Sequence, residues 1–344
     1  MTRLWAGVWV VLLFWFWSCS SPERTGPEVS FTVPTNFPKP LYAFERNPLT
    51  TSGVELGKAL FNETLLSKDN TISCAECHSQ PYGFTHHGHD VSHGIHNLKG
   101  TRNSLPLQNL AWESEFFWDG GVPDLDLVPI APIISKVEMG ETMANVLDKL
   151  RATKKYPLLF KKAYGTEEIT TTRFLQALSQ FMLTMVSANS RYDHFVRKEG
   201  VTLTNDEQAG LHLFQQKCSS CHTGELFTDR SYRNNGLFLT SDADEGRFRI
   251  TNQEKDRYTF RVPSLRNVAV TGPYMHDGRF YTLEAVLDHY AENVHDTPNL
   301  DPILKASNGK RGIALTQQER QQIVAFLKTL TDEEFLTNKQ LAVP

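Results

Sequence analysis

The chain has 344 residues, 40% of them hydrophobic and 22% charged, with a formal net charge of −4. That length allows two domains of ordinary size, each with its own core. The near-neutral charge and the lack of a basic run give no footing for nucleic acid or an anionic membrane surface, and the polar majority describes a soluble body.

At the N-terminus Arg3 precedes an apolar run from Leu4 to Trp17, followed by Ser18-Cys19-Ser20-Ser21. The run is shorter than the roughly 18 residues needed to span a bilayer and predicts an export signal over residues 1–19. Cys19 sits where a bacterial lipoprotein signal would be cut and the new terminal cysteine acylated. Phe16 and Trp17 are bulky for such a cut, so simple cleavage is the rival reading. Residues 20–46 carry Pro22, Pro27, Pro34, Pro38 and Pro40, which block regular helix and predict a tether.

Organised structure is expected from Pro48 to Phe61, where Leu49, Val54, Leu56, Ala59, Leu60 and Phe61 give an amphipathic helix ending near Asn62. Cys74-Ala75-Glu76-Cys77-His78 follows in a loop. From Ser79 to Asp119 there is no sustained period, many glycines, and His86, His87, His89, His93 and His96, a composition that predicts loop built around a cofactor. Helical periodicity returns at Met139–Leu150 and at Thr171–Ser187, where Phe174, Leu178, Phe181, Met182 and Met185 share a face and close a first domain. A second domain is organised from Asp206, with a helix over Glu207–Gln216 running into Cys218-Ser219-Ser220-Cys221-His222. Arg230–Arg257 reads as loop or short hairpin. Leu283–Tyr290 and Leu315–Leu330 read as helices, the latter with Ile323, Phe326, Leu327 and Leu330 on one face. The predicted fold class is all-α, with two cytochrome c-like domains at residues 47–195 and 196–337.

The two Cys-x-x-Cys-His stretches carry the chemistry. Both thiols of such a motif add to the vinyl groups of a haem, and the adjacent histidine ligates the iron. A zinc ribbon would set its cysteine pairs roughly 15–20 residues apart and would not explain a histidine after both, and a thioredoxin-like pair needs a βαβ context. Two copies, using four of the five cysteines, predict two covalently bound haem c groups. His78 and His222 are the iron ligands, and the rival reading for each is a surface histidine. Export suits covalent haem as well.

Further text supports a family. Leu56-Gly57-Lys58-Ala59-Leu60-Phe61, Gly100-Thr101-Arg102-Asn103-Ser104, Phe117-Trp118-Asp119-Gly120 and Val137-Glu138-Met139-Gly140 lie in the first half. Val262-Pro263-Ser264-Leu265-Arg266-Asn267-Val268, Gly272-Pro273-Tyr274-Met275-His276-Asp277-Gly278 and Ala325-Phe326-Leu327 lie in the second. Over about residues 47–335 the chain resembles the bacterial di-haem cytochrome c peroxidases, including their MauG branch. The resemblance implies reduction of hydrogen peroxide to water at the first haem. Electrons would enter through the second from a small c-type cytochrome or a cupredoxin. It also implies a periplasmic location, here with a lipid anchor at Cys19, and leaves the oligomeric state open.

It implies residue roles too. Glu138 would be the catalytic acid and base; its rival reading is an acidic residue starting the helix through Leu150. Relatives often carry a glutamine ten residues ahead of that glutamate, where this chain has Val128. Many relatives cap the resting first haem with a loop histidine, and that position falls on Ile95, between His93 and His96. An isoleucine cannot ligate iron, so the first haem is expected to be open, unless a shifted loop presents His93 or His96. At the second haem Tyr290 falls where the classical peroxidases place methionine. A phenolate there would lower the iron's potential, with Met275 the rival ligand, a core tyrosine the plain alternative, and His276 near the haem edge. Trp118 would stand between the haems as an electron stepping stone or be an aromatic core residue. Asn103, with the carbonyls of Thr271 and Pro273, matches the family's calcium site at the domain junction. Two other activities stay open: a MauG-like enzyme that oxidatively modifies a partner protein, and a non-enzymatic electron-transfer cytochrome.

Overall fold

The computed structural model describes residues 26–305 and 308–342; the export signal, Cys19 and the first part of the proline-rich segment lie outside them. Among the described residues the chain is helical, with one two-stranded sheet and no helix long and apolar enough to cross a membrane.

The first half starts with α1 (Thr51–Phe61), capped by the Thr50 hydroxyl, which accepts from the Gly53 amide at 3.0 Å. A short helix α2 (Cys74–Cys77) holds the first cysteine pair. After a long irregular stretch come α3 (Ile130–Ile134), α4 (Met143–Arg151), α5 (Lys155–Tyr164) and α6 (Thr171–Leu183). Helix α1 crosses α6 closely because Gly57 presents no side chain there: a Cβ would run into the carbonyl of Ala177. Leu56, Leu60, Phe174, Leu178 and Phe181 are buried along this contact and belong to one apolar core.

The second half repeats the device. After α7 (Arg191–Val196), α8 (Asn205–Lys217) leads into the second cysteine pair and crosses α11 (Gln317–Lys328), with Gly210 against the carbonyl of Gln322. Between them lie β1 (Tyr232–Arg233), α9 (Phe248–Thr251), β2 (Phe260–Arg261) and α10 (Leu283–Glu292). Phe214, Phe227, Leu287, Ile323 and Phe326 form a second apolar core. The turn at Phe116–Val122 recurs at Tyr274–Phe280: each is closed by an antiparallel bridge between its ends, and Phe117 and Met275 both take φ near +70° (67° and 73°).

Several expectations need correcting. Residues 26–46 contain no regular helix, as their prolines require, yet they are not a loose tether. Phe31 stacks on Phe44 with centroids 4.5 Å apart, Phe37 packs edge-on against Trp112, and the Trp112 indole donates to Pro38 O at 2.7 Å. Aromatic burial acts together with backbone bonds from Val29 to Leu49 O at 2.9 Å and from Leu41 to Ala111 O at 2.8 Å. Strand β1 pairs with β2 beyond Arg257 rather than folding back within 230–257, because the intervening chain forms α9. The helix expected from Met139 begins at Met143, where Thr142 caps the Asn145 amide at 3.2 Å. Helix α5 was not anticipated, although Tyr156, Phe160, Ala163 and Tyr164 are its buried, helically spaced face. The C-terminal segment also departs from the second unit: Phe335 and Leu336 of α12 (Glu333–Thr337), together with Leu341, pack into the first core, and Gln80 donates to the carbonyls of Phe335 and Asn338.

The halves meet at a buried polar seam. Arg266 and Asp193, both fully buried, pair through two bonds of 2.8 Å. The Arg266 carbonyl accepts from Gln108, and Asn267 donates to Gln108 and to Ser187 at 2.9 Å. Every partner is hydrogen-bonded, which is what makes such a seam tolerable in a dry interface.

Candidate haem centres

At the first centre, α2 is a single turn, so Cys74 and Cys77 stand on neighbouring positions of one short helix and His78 follows as its cap. The His78 Nδ1–H donates to the carbonyl of Phe84 at 2.7 Å. A carbonyl only accepts, so the proton sits on Nδ1 and the lone pair on Nε2. Burial lowers the pKa of His78 to about 4, keeping the ring neutral and able to ligate. Phe84 aims its carbonyl at the ring by adopting φ of +58°. Burial pushes the Cys74 thiol up to about 12 and the Cys77 thiol up to about 11; the nearby Glu138 charge adds to the latter.

That influence locates Glu138. The residue is half-buried in the turn after α3, ahead of α4, so it does not start that helix. Burial raises its pKa, opposed by a hydrogen bond with Ser135. The loop carrying Gly94 and Ile95 lies against it. The Ile95 amide donates to the Glu138 carbonyl at 2.7 Å, and a side chain at Gly94 would collide with the backbone of Val137 and Glu138. Ile95 is 4% exposed and its Cδ1 closes over Gly140. The flanking histidines are engaged elsewhere: His93 with Asn97 Oδ1 at 2.7 Å, and the largely exposed His96 beside Asp69 at 3.8 Å. His86, His89 and His93 cluster with ring centroids 4.9 to 6.4 Å apart. Among the described residues, however, no group of three or more His, Cys, Asp or Glu is arranged to hold a metal ion.

The second centre follows the same plan. Cys218 caps α8, and the His222 Nδ1 hydrogen-bonds the Phe227 carbonyl at 3.0 Å, Phe227 having φ of +53°. Burial lowers the His222 pKa; the carbonyls of Phe227 and Pro263 beside the ring work the other way. The other candidate ligand, Tyr290, lies on α10. Burial pushes that phenol up to about 12, and the Cys221 and Cys218 thiols add to the rise. The sequence reading overlooked Asn235. Its Nδ2 donates to Met275 Sδ at 3.2 Å, and it works against burial at the Tyr290 phenol by favouring the ionised form. Asn235 and Met275 thus meet although they are 40 positions apart in sequence, which leaves no local signature.

The Trp118 indole donates to the Asn103 carbonyl at 2.8 Å, and the Asn103 amide donates to the His276 carbonyl at 2.7 Å. Trp118 is thus buried and linked through Asn103 to the residue after Met275. The Asn103 side-chain amide donates to Asp90 O at 3.1 Å. His276 stacks on Phe260 at 3.7 Å with an 11° interplanar angle.

The residues at both turns fit a covalent haem. The four cysteines are free thiols rather than disulfides, each pair is followed at once by a buried histidine, and the hydrogen bond on Nδ1 presents the ligating nitrogen. A helical chain with two such centres falls in the class of di-haem c-type cytochromes.

Comparison with known proteins narrows the class. The family described as "Di-haem cytochrome c peroxidase" matches residues 51–201. The methylamine utilization protein MauG of Methylorubrum extorquens is 36% identical over 317 residues, covering 91% of this chain and 87% of the relative. The cytochrome c551 peroxidase of Nitrosomonas europaea is 34% identical, covering 83% and 82%. A crystal structure of a MauG-like protein associated with microbial copper homeostasis superposes with a TM-score of 0.82 at 31% identity, covering 92% of this chain and 99% of that one. The chain belongs to the di-haem cytochrome c peroxidase family, in its MauG-like branch. It is an oxidoreductase, and the family implies two haem c groups.

Proposed function

We propose that the protein is a periplasmic peroxidase that reduces hydrogen peroxide to water, with its chemistry at the first centre and electron entry at the second. The observation that carries this reading is Glu138: a half-buried carboxyl with a raised pKa, whose charge is felt at the Cys77 thiol and whose backbone pairs with Ile95 instead of a histidine. When bound, the haems supply the electrons. Two electrons and two protons convert one peroxide to two waters. Glu138 takes the proton from one peroxide oxygen and returns it to the other, so that water can leave. The packing of Ile95 favours a first centre that is open at rest. Trp118, joined through Asn103 to His276, is the electron stepping stone between the halves. Residues 47–195 and 196–337 are proposed as the two cytochrome c units; most apolar residues of each fall in one of the two cores, with Tyr192 packing into the second and Leu226, Phe335 and Leu336 into the first. Lipidation at Cys19 is the proposed anchor.

The electron donor is proposed to be a small c-type cytochrome or a cupredoxin. The test is steady-state oxidation of such a reduced donor by peroxide, comparing the protein as isolated with the half-reduced form. Turnover in both is expected, and turnover only after half-reduction would refute the open first centre. Asn103 with the carbonyls of Thr271 and Pro273 is the proposed calcium site. Chelation is expected to lower turnover and calcium to restore it, and an indifferent rate would dismiss the site.

The MauG-like reading has its own support in Tyr290, a buried phenol on α10 whose ionisation the second cysteine pair opposes. A phenolate ligand there would depress the iron's potential and suit a long-lived oxidised enzyme acting on a partner protein. Its mark would be peroxide-driven oxidation of the haems without turnover of the donor.

A further inference from the structure

Tyr232 carries a phenol that the peroxide chemistry does not use, yet the fold seats it on the turn that holds Trp118. It lies on β1 opposite Arg261 of β2, and the Arg261 amide donates to the Trp118 carbonyl at 2.7 Å. Two residues after Trp118, Gly120 takes φ of +70°, and a Cβ there would run into the Tyr232 hydroxyl. The half-buried phenol and the buried indole therefore belong to one locally fixed arrangement.

The surroundings of the phenol decide how it can be oxidised. Its O–H donates to Glu115 Oε2 at 2.8 Å. The Glu115 side chain is 35% exposed, so a proton taken up there can pass on to water. The Arg247 guanidinium stands over the Tyr232 ring, 3.7 Å from its centroid, and is tied to Glu115 Oε1 at 3.2 Å and to the Asp119 carbonyl at 3.1 Å. A neutral ring attracts that cation, whereas a ring that had lost only an electron would be repelled by it. Losing the electron together with the O–H proton leaves a neutral radical, and the Glu115 carboxylate is within hydrogen-bond reach of that proton. Trp118 is set the other way: its N–H donates to the Asn103 carbonyl, a neutral oxygen too weakly basic to take the proton. An oxidised Trp118 keeps its proton and passes its charge on, while Tyr232 can release its proton and hold the equivalent.

We propose that Tyr232 is a second redox site, which takes an oxidising equivalent from Trp118, gives its proton to Glu115 and is restored by a phenol-class one-electron donor. Hydrogen peroxide is the oxidant and acts through the haems. For each equivalent the Tyr232 O–H bond breaks, an O–H bond forms on Glu115, and one electron passes from the phenol to oxidised Trp118. The donor returns one electron and one proton, and a phenol suits this because the O–H bond it gives up matches the one re-formed on tyrosine. The proposal rests on the reading of Trp118 as the electron stepping stone.

The test uses the holoprotein, treated with hydrogen peroxide in the absence of a donor and frozen at intervals, with haem absorption recording that oxidising equivalents have entered. EPR spectra are taken for wild type, Tyr232→Phe, Glu115→Gln, Trp118→Phe and Tyr42→Phe, each with ordinary and with ring-deuterated tyrosine. Wild type should show a radical whose hyperfine pattern narrows with the deuterated label, and Tyr232→Phe should lose it. Glu115→Gln keeps the size and a hydrogen-bond acceptor but removes the base, and should slow the radical's appearance about 10²-fold or more. Trp118→Phe should delay it as well. Tyr42 also donates to a carboxylate, Asp126 at 2.9 Å, so Tyr42→Phe is the control for a merely structural pair and should keep the signal. Hydroquinone added after the peroxide should bleach the radical; an unchanged lifetime would overturn the donor class. A wild type with oxidised haems and no tyrosyl signal, or a signal that survives Tyr232→Phe, would overturn the redox site itself. A signal lost in Tyr232→Phe yet undelayed in Trp118→Phe would uphold the site and overturn the stepping-stone reading instead.

Discussion

Replacing Glu138 by glutamine keeps the side chain's size and its capacity to hydrogen-bond Ser135, and removes only the ability to exchange a proton. Positioned acid–base groups contribute roughly 10²–10⁴-fold, which corresponds to about 2.7–5.5 kcal/mol of barrier. The upper part of that range is expected here. Val128, where relatives often carry a glutamine, packs against the first apolar core and offers no polar substitute. Peroxide turnover with a reduced cytochrome donor is the assay, read as kcat/KM against pH. Burial raises the Glu138 pKa above 4.5, and the proton-accepting form is the carboxylate, so the wild-type rate should fall on acidification from a pH above the ordinary carboxylate range. That limb should vanish in Glu138→Gln. The linkage to stability has the opposite sense to that of a paired acid: the native state holds this proton more tightly than the unfolded chain, so the contribution is full below pH 4.5 and is lost as pH rises through the native pKa. The variant should therefore be no less stable than wild type at neutral pH. A variant within threefold of the wild-type rate, with the acid limb intact, would refute the assignment.

Installing histidine at Ile95 should give the first centre a capping ligand, so that the isolated variant turns over slowly and recovers on half-reduction; equal rates in both states would show that this loop does not reach the iron. Arg266→Leu strands the fully buried Asp193 carboxylate and should cost about 3–5 kcal/mol in denaturant unfolding, with Asp193→Leu in the same chain restoring much of it. Although burial works against it, Arg266 holds the Asp193 pKa below 3.8. The stability this pair contributes is therefore full above pH 3.8 and lost as pH falls through the native pKa, and that acid-induced loss should be absent in the double variant. Gly210→Ala places a methyl against the Gln322 carbonyl, and the separation of α8 from α11 should cost about 1–3 kcal/mol; a Tm equal to wild type would show that the crossing has room to spare.

The parts of this protein that are legible in its sequence are those whose physics is local. A haem attachment turn needs two thiols and an imidazole within five consecutive residues, so both centres can be read directly from Cys74–His78 and Cys218–His222. Helices α1, α8, α10 and α11 show themselves through their apolar period, and each begins after a threonine cap at Thr50, Thr204, Thr282 or Thr316. Helix α5 was equally periodic but went unread. Its face is made of two tyrosines, one phenylalanine and one alanine in a lysine-rich segment with an early proline, a weaker signal than a leucine stripe.

Everything that joins the centres was decided by tertiary structure. That the Glu138 charge is felt at Cys77, and that His96 turns out to Asp69 while Ile95 turns in, depends on how the loop at Gly94 meets the backbone of Val137 and Glu138. The proline-rich segment reads as a tether because its prolines block regular helix; only the folded chain supplies the groove around Trp112 that buries its aromatics and the Leu49 and Ala111 carbonyls that accept from its amides. Asn235 is one asparagine in a polar loop until the fold brings the Met275 sulfur to its amide. Covalent attachment and helix caps act over a few residues, whereas ligand choice and proton delivery depend on side chains that only the folded chain brings together.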